Sequence, residues 1–373
     1  MPCARCETLP STAIVPGTLH LWFSVAHSRG KIVAYLKDAG RNHLVAEGGR
    51  LEIPLDAHRT NDILLPLAGL LSQVEREDAR CLFKDGGGEL TAADLPNVQS
   101  LRQFLQLSQS AWLVEMLRDN RVTSYFQPIV TLGGTREVLG HEMLLRGVSA
   151  DGSIVSPGRL FDVARECGML FHLDLAARRS AIRSAIAKGA GGKIFINFTP
   201  TSIYDPAHCL VSTVSAIDEV GITHDRVVFE VIETDKTVDV FHLRGILDYY
   251  RSAGFEVALD DIGSGYSSLN MLHQLRPDYL KLDIELIRGV DRDPYKALIA
   301  EKILEIATRL NIRTIAEGVE RPEELEWVRA RGATYAQGYL IARPAAEPHL
   351  VVEPRTSGPL AALPHEPEVP RAP

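Results

Sequence analysis

Apolar and polar positions follow two different rhythms along the chain. "TLHLWFSVAH", from Thr18 to His27, alternates and places Leu19, Leu21, Phe23 and Val25 on one face, the period of a half-buried strand. "RLEIPLD" repeats the alternation with Leu51, Ile53 and Leu55. "NDILLPLAGLLSQVERED" has helical spacing, with Asn61 or Asp62 available as N-cap and Pro66 early in the run. Residues 1–96 therefore read as a small α+β module, and a long helical stretch over residues 97–118 reads as a connecting helix.

From residue 119 to 352 the rhythm changes. Short strand-like runs alternate with longer segments of helical period: "TSYFQPIV", "VLGHEMLLR", "KIFINF", "VVFEVIE", "FEVALD", "YLKLD", "RTIAE" and "ATYAQGYL". Alternation of this kind implies a mostly parallel sheet, and eight such units imply an α/β fold of the TIM-type (β/α)8 class. The first two runs are separated only by "TLGGTRE", too short for a crossover helix, so they are expected to pair as an antiparallel hairpin. The Pro-rich tail, residues 353–373, lacks apolar periodicity and reads as disordered.

Composition narrows the function classes. Of 373 residues, 45% are apolar and 24% charged, enough for a sizeable core. A formal charge of −8 argues against a DNA-binding surface. Cys3, Cys6, Cys81, Cys167 and Cys209 are scattered and odd in number, unlike a disulfide framework. No apolar run approaches the roughly 18 residues of a membrane span, and the protein is expected to be soluble and cytoplasmic.

Nearly every barrel strand carries one charged or amide residue near its end: Glu142, Asn197, Glu230, Asp260, Asp261, Lys281, Glu317 and Gln337. In a barrel the C-terminal strand ends share one face, so these residues should converge. Each has an ordinary explanation alone. "DDIG" resembles a turn, a strand Glu can face solvent, Lys281 can snorkel and Asn197 can cap a helix. Eight such residues on seven strand ends weigh against eight separate explanations. Packed carboxylates repel, and divalent cations relieve that repulsion. Oxygen donors without His or Cys favour Mg²⁺ or Mn²⁺ over Zn²⁺, as in metal-assisted phosphoryl transfer.

With these residues in place, the chain resembles the EAL-domain family, the phosphodiesterases of the bacterial messenger cyclic di-GMP. The resemblance covers roughly Ser110 to Leu350 and rests on "YFQPIV", "HEMLLR", "FINFTP", "FEVIETD", "DDIGSGYSSL", "YLKLD", "AEGVE" and "AQGYL" in the family's order. It implies that Glu142, Asn197, Glu230 and Asp260 hold one metal and that Asp260 and Asp261 serve a second. It implies that Lys281 orients the attacking water, that Glu317 acts as general base or positions it, and that Gln337 supports the site. Gln127 and Arg146 would bind guanine and phosphate, and Glu233 would anchor the loop from Gly263 to Ser268, which links the metal site to a homodimer interface. Two residues depart from the family pattern: Met143 stands where Ala is usual and Ile262 where Phe is usual. Neither is a metal ligand.

The implied reaction is hydrolysis of cyclic di-GMP to linear pGpG with two Mg²⁺ or Mn²⁺ per site. The alternatives are a receptor that binds the nucleotide without hydrolysis and a scaffold that binds none. The amino-terminal module shows no catalytic signature and is expected to sense a ligand or meet a signalling partner. Its Cys3 and Cys6 have the spacing of a zinc knuckle or redox pair, or are two thiols in a frayed terminus.

Overall fold

A computed structural model describes residues 9–10, 16–56, 60–86, 90–133, 137–203, 205–231, 240–263 and 268–350. Cys3, Cys6, Glu233 and the Pro-rich tail lie outside them. The chain divides into two compact units, one comprising residues 1–124, 145–184 and 201–220, the other residues 125–144, 185–200 and 221–373.

In the first unit five strands form an antiparallel sheet: β1 (Gly17–Trp22), β2 (Leu44–Val45), β3 (Leu51–Leu55), β4 (Arg80–Asp85) and β5 (Gln99–Ser100), in the order β2-β3-β1-β4-β5. The alternation predicted here is realised. Leu19 and Leu21 of β1 and Leu51, Ile53 and Leu55 of β3 are buried with Ile32, Leu36, Leu64, Leu67 and Phe104 from helices Ala26–Asp38, Thr60–Leu70 and Leu101–Gln109. The first strand is shorter than its pattern. It stops at Trp22, and Val25 is exposed as the residue that precedes the first helix.

Two helix expectations are corrected. Asn61 and Asp62 are not N-caps, because the helix already includes Thr60. Pro66 lies inside that helix and has no N–H for the Asp62 carbonyl one turn back; the Tyr35 hydroxyl donates to that carbonyl at 3.3 Å. The connecting helix is also not continuous. Ser100 caps Leu101–Gln109 by accepting from the Gln103 N–H, and Ser110 (φ −109°, ψ 27°) breaks the path before Ala111–Arg118. The Ser110 hydroxyl makes no cap to the second helix, so the break lies in its non-helical backbone angles.

All eight predicted barrel strands are present: β6 (Val122–Thr131), β7 (Val138–Val148), β9 (Lys193–Phe198), β10 (Val227–Val231), β11 (Glu256–Ile262), β12 (Tyr279–Leu282), β13 (Arg313–Ala316) and β14 (Tyr335–Ala336). A two-residue β8 (Ile154–Val155) adds to the edge of β7. From β7 through β9 to β14 neighbours are parallel. β6 runs antiparallel to β14 and pairs with β7, which closes the sheet and makes the first pair antiparallel, as the short connection requires.

The strand period of two sorts the barrel interior into layers. Phe195, Val228, Ala258, Tyr279 and Ile315 form a buried apolar layer with Ile129. Each of the first five lies two residues before a polar rim residue: Asn197, Glu230, Asp260, Lys281 and Glu317 respectively. Two residues earlier again stand Lys193, Glu256 and Arg313, where Glu256 receives Lys193 at 2.7 Å and Arg313 at 2.8 Å. The apolar layer therefore separates a paired charge cluster at one end from the rim at the other.

Candidate active site

Lys281 organises the rim. Its Nζ lies 2.8 Å from Glu317 Oε1, 2.9 Å from Glu230 Oε1, 3.2 Å from Asp260 Oδ1 and 3.5 Å from Glu142 Oε2. The lysine is 1% exposed and Glu230 is 0% exposed, so these charges are shielded from water. Burial alone would lower the ammonium pKa; the carboxylates of Asp260, Glu142, Glu230 and Glu317 outweigh it and raise that pKa well above the ordinary value.

Amides hold the first carboxylate. Asn197 Nδ2 donates to Glu142 Oε1 at 2.8 Å, and Gln337 Nε2 donates to Glu142 Oε2 at 2.6 Å and to Gln127 Oε1 at 3.0 Å. Burial opposes the charge on Glu142, but Lys281 and these amides carry its pKa below the usual value. The other acids go the opposite way. Burial raises Glu230 well above the usual range, with Glu142 and Asp260 adding to the rise and Lys281 opposing it. Burial and the Asp260 charge do the same to Glu317, and burial lifts Asp260 despite Lys281.

The adjacent aspartates pose a geometric problem, because neighbours on a strand point to opposite faces. β11 solves it by leaving the regular path. Its pairing with β12 shifts register between Leu259 and Ile262, and Asp261 adopts a left-handed φ of 57°. Asp tolerates that region better than most residues. The Asp261 N–H donates to Asp260 Oδ1 at 2.9 Å, and one oxygen each from Asp260, Asp261 and Glu317 lies within 4.8 Å of the others. Burial, then Asp260 and Asp283, push the Asp261 carboxyl up to about 6. Gly263 follows with a φ of 114°, the sharp turn expected there.

The donor set fits hard divalent cations. Among the described residues, five carboxylates (Glu142, Glu230, Asp260, Asp261 and Glu317) gather around the Lys281 ammonium, whereas the opposite end of the barrel sets two cations against Glu256. Asn197 Oδ1 and Glu230 Oε2 are buried without a hydrogen-bond donor among the described residues, while Glu230 Oε1 has the Lys281 ammonium at 2.9 Å. An orphaned amide oxygen and a carboxylate oxygen without a donor, beside further acids, are what oxygen-seeking Mg²⁺ or Mn²⁺ would satisfy.

Of the residues singled out in the sequence, Gln127, Glu142, Asn197, Glu230, Asp260, Asp261, Lys281, Glu317 and Gln337 come together. Arg146 lies four residues beyond Glu142 on β7, its Nη1 donating to the Leu145 carbonyl at 2.8 Å. Met143 and Ile262 are both buried. Glu233 and residues 264–267 lie outside the described residues.

One residue escaped the sequence reading. The buried Glu324 carboxylate accepts N–H groups from Gly289 (2.9 Å), Glu320 (3.1 Å) and Arg321 (3.0 Å), and so fixes the segment that follows Glu317. Its only signal is an acid at the third position of helix Pro322–Ala330, an ordinary capping pattern.

Comparison with known proteins agrees with this geometry. The EAL domain family matches residues 110–344. A probable cyclic di-GMP phosphodiesterase of Escherichia coli K12, PdeG, is 31% identical over 257 residues, 65% of this chain and 49% of PdeG. The cyclic di-GMP phosphodiesterase NbdA of Pseudomonas aeruginosa is 28% identical over 248 residues, 65% of this chain and 31% of NbdA. The chain thus spans about half or less of the length of these relatives. Among solved structures, a standalone versatile EAL protein from Vibrio cholerae O395 in its c-di-GMP-bound form is 34% identical with a TM-score of 0.57, covering 63% of this chain and 96% of that one. The Bacillus subtilis YkuI protein, with an EAL domain and in complex with substrate c-di-GMP and calcium, is 25% identical with a TM-score of 0.55, covering 64% of this chain and 59% of that one. With a closed eight-stranded barrel, an ordered acidic rim and a family match over more than half its length, this chain belongs to the EAL domain family.

Proposed function

We propose that the chain hydrolyses one phosphodiester bond of cyclic di-GMP to give linear pGpG, at a rim that holds two divalent cations, Mg²⁺ or Mn²⁺. The observation that carries this reading is the buried excess of carboxylates around Lys281, with Asn197 Oδ1 and Glu230 Oε2 left without donors. The relatives described as cyclic di-GMP phosphodiesterases and the c-di-GMP-bound neighbours support the choice of substrate.

In this reading Glu142, Asn197, Glu230 and Asp260 hold one cation, and Asp260 and Asp261 serve the other. When bound, the cations supply positive charge against the charge that develops on the phosphoryl oxygens. Glu317 has a carboxyl with high proton affinity, suited to take the proton of the attacking water, and Lys281 keeps that carboxylate oriented at 2.8 Å. Gln337 fixes Glu142 and Gln127 together, while Gln127 and Arg146 bind guanine and phosphate; the Arg fork suits a phosphate oxygen pair. Homodimer formation belongs to the same proposal and is supported by Tyr295, Leu298 and Ile299, exposed at one-turn spacing on helix Pro294–Arg309.

The test is to incubate the full chain with cyclic di-GMP and Mg²⁺ or Mn²⁺ and resolve the nucleotides. Expected are pGpG with either ion, little turnover with the larger Ca²⁺, and none from Glu142→Ala. Nucleotide binding without pGpG would identify a receptor instead, and pGpG formation by Glu142→Ala near the wild-type rate would remove Glu142 from the metal site.

A further inference from the structure

The rim chemistry leaves one buried polar side chain unused. His141 precedes Glu142 on β7 and is 1% exposed. Neighbours on a strand alternate, so it faces out of the barrel where Glu142 faces in. Its Nε2 donates to the His349 carbonyl at 3.0 Å, and Nδ1 has no partner among the described residues, so this bond alone offsets the burial of the imidazole.

Residues 337–349 grip the same two strands from inside and outside. Inside, Gln337 Nε2 donates to Gln127 of β6 and to Glu142 of β7. At the free edge of β6, one residue before Gln127, the Phe126 N–H donates to the Ala345 carbonyl at 2.7 Å and the Ala345 N–H donates to the Phe126 carbonyl at 3.0 Å. Outside, the His349 carbonyl holds His141, whose ring meets Phe126 edge-on at 5.9 Å. Glu347, between these two anchors, pairs with Lys188. A barrel crossover normally lays a helix over its strands, but the connection from β6 to β7 carries none among the described residues. Residues 345–349 hold this pair instead.

We infer that residues 345–349 form a positioning strap for the rim and that His141 is its positioning residue. The bond from His141 to His349 holds the stretch of β7 that carries Glu142 where Asn197 and Gln337 reach that carboxylate. The inference rests on the metal site proposed above for its consequence: a Glu142 held less firmly would bind a cation less well.

The experiment compares the full wild-type chain with three variants. His141→Leu loses the donor, His141→Gln keeps an N–H of similar reach, and Ala345→Pro removes the N–H given to Phe126. Hydrogen exchange of the amides of residues 138–148 is measured in chelator, and Mn²⁺ affinity by calorimetry. His141→Leu and Ala345→Pro should exchange at least about fivefold faster there and bind Mn²⁺ about tenfold more weakly, and His141→Gln should restore both. Circular dichroism checks that all three fold. A merely structural histidine would lower the melting temperature of His141→Leu and leave the Mn²⁺ affinity of the folded protein unchanged, which would overturn the inference. Exchange in His141→Leu equal to that of the wild type, or no restoration in His141→Gln, would overturn it too. A wild type that binds no Mn²⁺ counts against the metal site alone, and the exchange result then decides the strap.

Discussion

The carboxylates of Asp260, Glu142, Glu230 and Glu317 around Lys281 outweigh its burial and raise its ammonium pKa well above the ordinary value, which suits a fixed countercharge better than a proton donor. Replacing it with Ala should therefore lower turnover by about 100-fold or more while cyclic di-GMP affinity changes only severalfold, since the lysine contacts acids rather than the bases of the substrate. Separate measurement of pGpG formation and nucleotide binding checks this, and equal losses in both would reassign the residue. Asp261 behaves differently, because its carboxyl titrates near 6 instead of its ordinary 3.8. Cations bind the ionised form. Mn²⁺ affinity measured by calorimetry should accordingly weaken by about tenfold or more from pH 7 to about pH 5; an affinity flat over that range would place Asp261 outside the metal site. The identities of these residues were legible from their recurrence at strand ends. Their opposed proton affinities were not, because those depend on which acids the amides of Asn197 and Gln337 reach.

At the level of elements, the strands were readable because each is an apolar run bounded by polar or glycine residues, and parallel strands buried on both faces keep that signature. What the pattern could not show were departures set by tertiary partners. β1 ends at Trp22 although the alternation continues to Val25, and Ser110 divides a stretch with unbroken helical spacing. The register shift of β11 was hidden too, since "VALDD" reads as a plain strand. Gly140 marks another such place. On β7 it pairs with Lys193 of β9, and a Cβ there would sit 2.0 Å from the Lys193 carbonyl oxygen and 2.6 Å from its backbone carbon. Backbone cannot yield as a side chain can, so Gly140→Ala should force the two strands apart and cost about 2–3 kcal/mol. Glu142 lies two residues on, so activity should fall with stability. Thermal unfolding of the variant checks the first effect, and an unchanged midpoint would mean that the strands separate without strain.

For the molecule as a whole, metal and stability are linked. None of the helices among the described residues is long and apolar enough to cross a membrane. In cation-free protein the folded state binds protons at Asp261 more tightly than the unfolded chain does. Raising the pH from the ordinary carboxylate range through about 6 therefore removes stability instead of adding it. Added Mn²⁺ should reverse the loss, by about 2.7 kcal/mol at a hundredfold excess over its dissociation constant. Asp261→Asn removes the repulsion with Asp260, and Asn tolerates a left-handed backbone as well as Asp does. In chelator near pH 8 this variant should melt a few degrees above the wild type, and in saturating Mn²⁺ the order should invert; a wild type that is the more stable in both conditions would contradict the electrostatic account. The bulge that turns two neighbouring aspartates to one side thus has an evolutionary slope. Where cations are scarce, a lineage released from selection for turnover would gain robustness by discarding Asp261, so drift from an enzyme toward a silent nucleotide reader would run downhill in folding free energy only while the rim stands empty.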